Sequence, residues 1–441
     1  MRTACLWGAA LLPLAVGATA LPDWAGDIDA GTLAVIADGD FVAQTYANGQ
    51  LAPADAGWRD TLAVWSLADG VLARGQVEVS NSVTAAPEVL ALSPDGSTAF
   101  VVERLAQRQA GARTVRDLQP GSRLFAVDLG LPRDPRIAAT LDVGSMPEAL
   151  AVSPDGRYVA AVANSPDDSL LTLARYDQGR FQGTRRYTLR ELGVAGNADG
   201  GPRAGITATN VQWHPSGRYL AVNLNTLNQV AFFQVQQGRD GMPALRPWGA
   251  PVGVGADPFV GRFTPDGKFY LTADWGRDFS ATTLDGRVPA RPSSISVIRL
   301  AGEGGASHAH LGQTQTDESS EGLAVSPDGA LVATVNMRGT PFPPGSARFA
   351  RQATVTLLSF DTAAGRLRKL ADYAFDGVLP EGATFDLSGN YLLVTVFQYH
   401  AGGPAGGGLE VFKVEREGVP ALRHVGRLPM PHGTHHVAVA R

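Results

Sequence analysis

Six short phrases recur along the chain and can be laid under one another: APEVLALSPDG ending at Gly96, MPEALAVSPDG at Gly156, TATNVQWHPSG at Gly217, DPFVGRFTPDG at Gly267, SEGLAVSPDG at Gly329 and PEGATFDLSG at Gly389. Their glycines are 60, 61, 50, 62 and 60 residues apart. A period on that scale belongs to a solenoid, a propeller or an array, and it decides the architecture before any local feature does. Within each phrase the Pro-Asp-Gly turn joins two apolar runs. Pro presets the first turn dihedral, Asp bonds locally, and Gly takes a left-handed conformation that costs other residues energy.

Each period reads as four strands. In the unit that holds Gly156 they are EALAVS, RYVAAVAN, LLTLARYD and RRYTLREL. Both faces of these runs are rich in Val, Ala, Leu and Tyr, as expected of small sheets sandwiched between neighbours, and no stretch sustains a helical period. The class is all-β, and radial repetition of four-stranded units describes a β-propeller. Six phrases give six blades. The two chain ends supply a seventh: GTLAVIADGDFVAQTY, TLAVWSLADG and VLARGQVEVS read as three strands, and the terminal PHGTHHVAVAR starts a phrase but ends before any turn. The expected architecture is a seven-bladed ring whose C-terminal strand, within 432–441, completes the first blade.

Residues 1–20 read as an export signal, with Arg2 at the positive end, an apolar run from Leu6 to Val16, and small residues Ala18-Thr19-Ala20 before the expected cleavage point. The run is too short to span a membrane. Cys5, the only cysteine, leaves with it, so residues 21–441, expected as a single propeller domain, have no disulfide, thiol nucleophile or cysteine-held cluster. The net charge of −5 is spread over interspersed acids and bases without a long basic run, which excludes nucleic acid and anionic lipid as natural partners. A monomer in the periplasm or outside the cell is expected, with no membrane span in the mature chain.

Phrases such as AVSPDGRYVAAVAN and NTLNQVAFFQV resemble the seven-bladed propellers of the 6-phosphogluconolactonase-like and YVTN-repeat group, over essentially the whole mature chain. The resemblance implies this fold. For activity it implies either a lactone hydrolase or cycloisomerase that uses Arg, His and Glu near the central channel, or a secreted scaffold without chemistry. The export signal sets the chain apart from members that meet a cytosolic sugar phosphate.

Counting eight residues back from each turn glycine gives Glu88, Glu148, Thr209, Phe259, Glu321 and Glu381, with His432 as the expected equivalent in the terminal phrase. These positions enter the innermost strands, so four carboxylates and an imidazole are expected around one axial mouth. Three residues further in, the ring is Ala91, Ala151, Gln212, Arg262, Ala324, Thr384 and, by the same count, His435. Arg262 is expected to pair with Glu321 and to hold a carbonyl oxygen or carboxylate, while Glu381 or His432 activates water. Glu88, Glu148, Gln212, His435 and Arg338 are expected ligand contacts, and His436 is expected in a blade interface. Each has a structural alternative, as a carboxylate that takes N–H bonds from the next blade or an arginine that braces two blades.

Long second-to-third-strand loops, 104–122, 274–294, 337–352 and 398–410, are expected to roof the same mouth and bring Arg348 and His400 near it. No cofactor is required by this scheme. A divalent metal at the mouth, held by the histidines with Glu381 and Glu88, is a secondary expectation. The partner expected is a small polar or carboxylated molecule of lactone type, or, for a non-catalytic scaffold, another exported protein or a wall polymer.

Overall fold

The computed structural model describes residues 22–66, 73–198, 200–238, 240–302, 304–305 and 307–441. The expected export signal lies outside them. Each turn folds as its residues dictate. At Ser153-Pro154-Asp155-Gly156 the Gly156 N–H donates to the Ser153 carbonyl at 2.8 Å, and Asp155 Oδ1 accepts from the Ser153 hydroxyl at 2.6 Å and the Arg157 N–H at 3.2 Å. Gly156 has φ 73°, and the other five turn glycines lie between 68° and 73°.

That hairpin sets the inner edge of a blade. The blade of Gly156 has the strands Pro147–Val152, Tyr158–Asn164, Ser169–Asp177 and Arg180–Thr188, antiparallel and in chain order from the axis outward. Among the described residues there are seven such sheets. The fourth carries an extra short strand, Val252–Gly253, on its third. The first is the closing blade: Thr434–Ala440 is its innermost strand, paired antiparallel with Thr32–Ala37, followed outward by Thr61–Ser66 and Ala73–Glu78. Leu33 faces Val439 and Val35 faces Val437, so the two chain ends lock the ring as expected.

Blades pack through apolar faces such as that of Ile36, Leu62, Phe100, Val101 and Leu124 between the first two. The turns pack as well. A side chain at Gly156 would lie 3.3 Å from Pro94 of the preceding blade's turn, and one at Gly389 would lie 3.1 Å from Pro327. At these turns the glycine seats the proline of the one before it, while Gly267 meets His214 instead. This is why the whole Pro-Asp-Gly phrase, and not only a turn, repeats.

The opposite face is closed by loops. Leu118, Trp275, Val288 and Phe342 come from three of the long loops and join Phe397, just before the fourth, and Phe41 of the first blade in one buried cluster, with Tyr46 packed against it. The expected roof is present, and it is packed down onto the axis instead of arching over an open cup. Among the described residues no helix is long and apolar enough to cross a membrane.

Candidate functional site

Among the described residues, five innermost strands begin with a bulge, one unpaired residue at the axis. It falls at Glu148, Thr209, Phe259 and Glu321 in four blades. In the closing strand the pairing skips from Thr434 to His436, so the equivalent residue is His435 and not His432. The terminal phrase has no turn glycine to count from, and the expected alignment is three residues out. The consequence is a change of face, because a bulge re-aims the side chains beside it. His432 lies away from the ring, stacked on Trp58 at 3.5 Å with Nε2 at 2.9 Å from the Phe41 carbonyl oxygen. His435 is fully buried in the entrance ring, and Ala438 takes the inner-ring position expected for it. His436, expected in a blade interface, lines the channel instead.

The four ring carboxylates are all buried, and they separate into three settings. Glu321 and Glu381 form a pair. Burial raises both, and Glu321 reaches about 8 despite the positive charge of Arg277, while Glu381 rises well above the usual carboxylate range through burial and the adjacent Glu321. The Tyr46 hydroxyl stands 3.2 Å from Glu381 Oε1 and 3.3 Å from the Val83 carbonyl oxygen. Glu148 forms an ion pair with Arg104 and lies 3.5 Å from the Asn164 amide nitrogen.

Glu88 is the third setting, and it meets Arg262 from across the ring. Arg262 Nη2 donates to Glu88 Oε1 at 2.5 Å and Gln212 Nε2 donates to Oε2 at 3.0 Å. Arg262 thus pairs three blades away, not with Glu321. The long guanidinium spans the axis because the other inner-ring side chains are mostly alanine. Burial raises the Glu88 pKa, and Arg262 opposes that rise. His436 Nδ1 accepts the Leu90 N–H at 3.3 Å, and burial with the Arg262 charge keeps the ring neutral, so Nε2 carries its hydrogen.

These groups line one end of a channel of about 360 Å3 that also touches Pro154 and Pro265 of the turns. The axial space therefore lies on the turn side, with the inner ring of Ala91, Ala151, Ala324, Ala438, Gln212 and Thr384 around it. A concave pocket with convergent polar groups suits a small-molecule site. An arginine, an amide and a neutral imidazole can bind a carbonyl or carboxylate oxygen there, and Glu88 can exchange a proton.

Other expected contacts are elsewhere. Arg338 is held 3.5 Å from Asp317 and donates to the Gln352 carbonyl at 3.3 Å. Arg348 bonds the Asp285, Val288 and Pro289 carbonyls, and His400 the Arg351 carbonyl, so both brace the roof. Three residues not expected do reach the axis: Tyr46, Arg104 and Arg277. Arg277 bonds Asp257 at 3.1 Å and lies over Phe259, Trp275 and Phe279, and its charge together with burial lowers Arg104 to about 10. They stand in loops without periodicity. Their only sequence signal is that an axial cluster of acids needs cations.

No family model matches the chain, and no curated protein matches it. Solved structures share the fold. The periplasmic gluconolactonase of Pseudomonas aeruginosa is 15% identical with a TM-score of 0.61, over 93% of this chain and 99% of that one. A candidate 6-phosphogluconolactonase of Bacteroides uniformis is 15% identical with a TM-score of 0.59, over 92% and 99%. A protein of unknown function from Desulfotomaculum acetoxidans is 15% identical with a TM-score of 0.58, over 86% and 95%. At this identity the likeness is one of architecture alone, that of a β-propeller.

Proposed function

We propose that this chain is an exported, lactonase-like propeller that binds a small polar or carboxylated lactone in its axial channel and opens the ring by hydrolysis. The observation that carries the reading is the Arg262, Glu88 and Gln212 cluster at the end of a channel whose inner ring is mostly alanine. The leader sequence and the likeness to a periplasmic gluconolactonase support the compartment and the substrate class.

The chemistry follows from the charges. The lactone carbonyl oxygen takes N–H bonds from Arg262, which stabilise the negative charge that develops there. Glu88 accepts a proton from water as the water oxygen bonds to the carbonyl carbon. When the tetrahedral intermediate collapses, the ring C–O bond breaks and Glu88 returns the proton to the leaving oxygen. The product is an open hydroxy acid whose carboxylate stays beside Arg262. Glu321 and Glu381, buried under the roof, hold the site's other side and are not routed through the reaction.

A panel of five- and six-membered lactones tests this with wild type, Arg262→Ala and Glu88→Gln. Turnover by wild type and its loss in both variants is the expected result. Turnover untouched by Arg262→Ala removes the assigned site. Absence of both turnover and ligand binding in wild type removes the lactonase reading in favour of a scaffold.

A further inference from the structure

The loop that carries Tyr46 to the axis starts at Asp38-Gly39-Asp40 and ends at Asp60, where the chain enters the third strand of the first blade. Asp38, Asp40 and Asp60 each place a carboxylate oxygen so that the three lie within 4.8 Å of one another. Backbone donors orient two of them. Asp38 accepts from the Asp40 and Val83 N–H groups at 2.8 and 2.9 Å, and Asp60 from Gly39 and Asn81 at 2.9 and 3.2 Å. Asp38 also takes the Phe41 N–H, and both carboxylates keep a lone pair free. Among the described residues neither Asp38 nor Asp60 has a basic side-chain partner. The charges of Arg59 and Arg108 bear on Asp40, but Arg108 gives its hydrogens to the Ala52 and Ala112 carbonyls.

A second observation is independent of the acids. Ser80 is only 8% exposed, and its hydroxyl has no hydrogen-bond partner. It lines the same cavity of about 980 Å3, between the first and second blades, as Asp40 and Asp60. A buried hydroxyl without a partner is unfavourable unless something at the site satisfies it. Oxygen is the only donor type here, from three separate stretches of backbone, with solvent on one side.

We propose that Asp38, Asp40, Asp60 and the Ser80 hydroxyl form a binding site for Ca2+ at the base of this cavity. Hard oxygen donors exclude a preference for zinc or copper, and an irregular set open to water suits Ca2+ better than the strict octahedron of Mg2+. Like charges so placed are relieved by a bound cation. The bound ion ties the ends of the Tyr46 loop to the segment that follows the strand Ala73–Glu78. The site is separate from the axial channel and stands whether or not a lactone binds there.

Full-length mature protein stripped with chelator is titrated with Ca2+ by calorimetry, while its melting temperature is followed at pH 7. Tb3+ luminescence excited through tryptophan reports the same site, because Trp58 lines the cavity. One equivalent of Ca2+ that raises the melting temperature, displaces Tb3+ and binds more tightly than Mg2+ is the expected result. Asp40→Asn and Ser80→Ala, which leave the backbone-bonded Asp38 and Asp60 in place, weaken Ca2+ by about tenfold or more. Wild type that gives neither heat, melting shift nor Tb3+ signal at millimolar ion overturns the site. So does Ca2+ binding that both variants leave unchanged, and Mg2+ binding as tightly as Ca2+ overturns the choice of ion.

Discussion

His435 Nδ1 lies 3.8 Å from Glu381 Oε2, and no hydrogen bond reaches either atom. The tautomer is fixed by Asn81. Its amide nitrogen donates to the Ala37 and Val79 carbonyls, so its oxygen must accept from His435 Nε2 at 2.8 Å, and Nδ1 is left bare. Burial holds His435 down to about 3, so the ring does not gain a second proton. Two acceptors face each other, and the missing hydrogen must belong to the Glu321 and Glu381 pair. At neutral pH these two carboxyls share at least one proton.

Stability must therefore fall as pH rises. Glu321 moves from an ordinary value of 4.5 to about 8 on folding, so between those limits the folded chain holds a proton that the unfolded chain has lost. The melting temperature is expected to decrease from about pH 5 to pH 8, with Asp274, raised to about 7, adding in the same direction. Glu381→Gln keeps the shape and needs no proton. It is expected to match wild type near pH 5 and to exceed it near pH 8 in scanning calorimetry, and equal slopes for the two proteins would show that no proton is shared.

The turn glycines give a sharper structural test. Gly156→Ala forces a side chain into φ 73° and within 3.3 Å of Pro94, so it is expected to cost about 1–2 kcal/mol in urea unfolding. Gly179→Ala, at φ 77° but with nothing within 4 Å, carries the backbone strain alone and is expected to cost less. The difference between the two measures the contact between successive blades.

Much of this was legible because the repeat converts sequence distance into position. A count back from Gly156 or Gly267 places Glu148 and Arg262 at a definite blade and height, and the structure keeps both there. The count says nothing about which residues meet across the axis. Arg262 reaches Glu88 and not Glu321, because alanines at most of the other inner positions leave a long side chain room to cross. The count also fails where its ruler is missing. His435 was misplaced for want of a turn glycine beyond it, and Tyr46, Arg104 and Arg277 lie in loops whose course depends on what they pack against.

Ring closure predicts a specific truncation phenotype. Removing residues 434–441 takes away the innermost strand of the first blade, bares the Thr32–Ala37 edge and exposes the partners of His435 and His436. An open apolar edge is a template for another chain. The shortened protein is expected to lose its single cooperative transition and to elute as aggregate on size exclusion. Adding the missing segment as a peptide is expected to restore part of the soluble fraction, since the pairing needs proximity and not covalent continuity.

The Arg262 and Glu88 pair makes a prediction that does not depend on any substrate. Arg262→Leu leaves Glu88 buried without a cation, and breaking a buried pair costs about 3–5 kcal/mol. Arg262 is 24% exposed, so about 2–3 kcal/mol is the expected loss at pH 7. Glu88 is then free to rise further in pKa, and a proton taken up at lower pH removes the unpaired charge. The penalty is therefore expected to shrink toward pH 5. Glu88→Leu alone exposes the converse fault, an unpaired guanidinium that no accessible pH can neutralise, so its penalty is expected to stay level across the same range. The double variant Arg262→Leu/Glu88→Leu removes both charges, and chemical unfolding is expected to return it to near wild-type stability. If instead the double variant is as unstable as the sum of the two single ones, the two side chains are not coupled, and the ion pair across the axis is not present in solution.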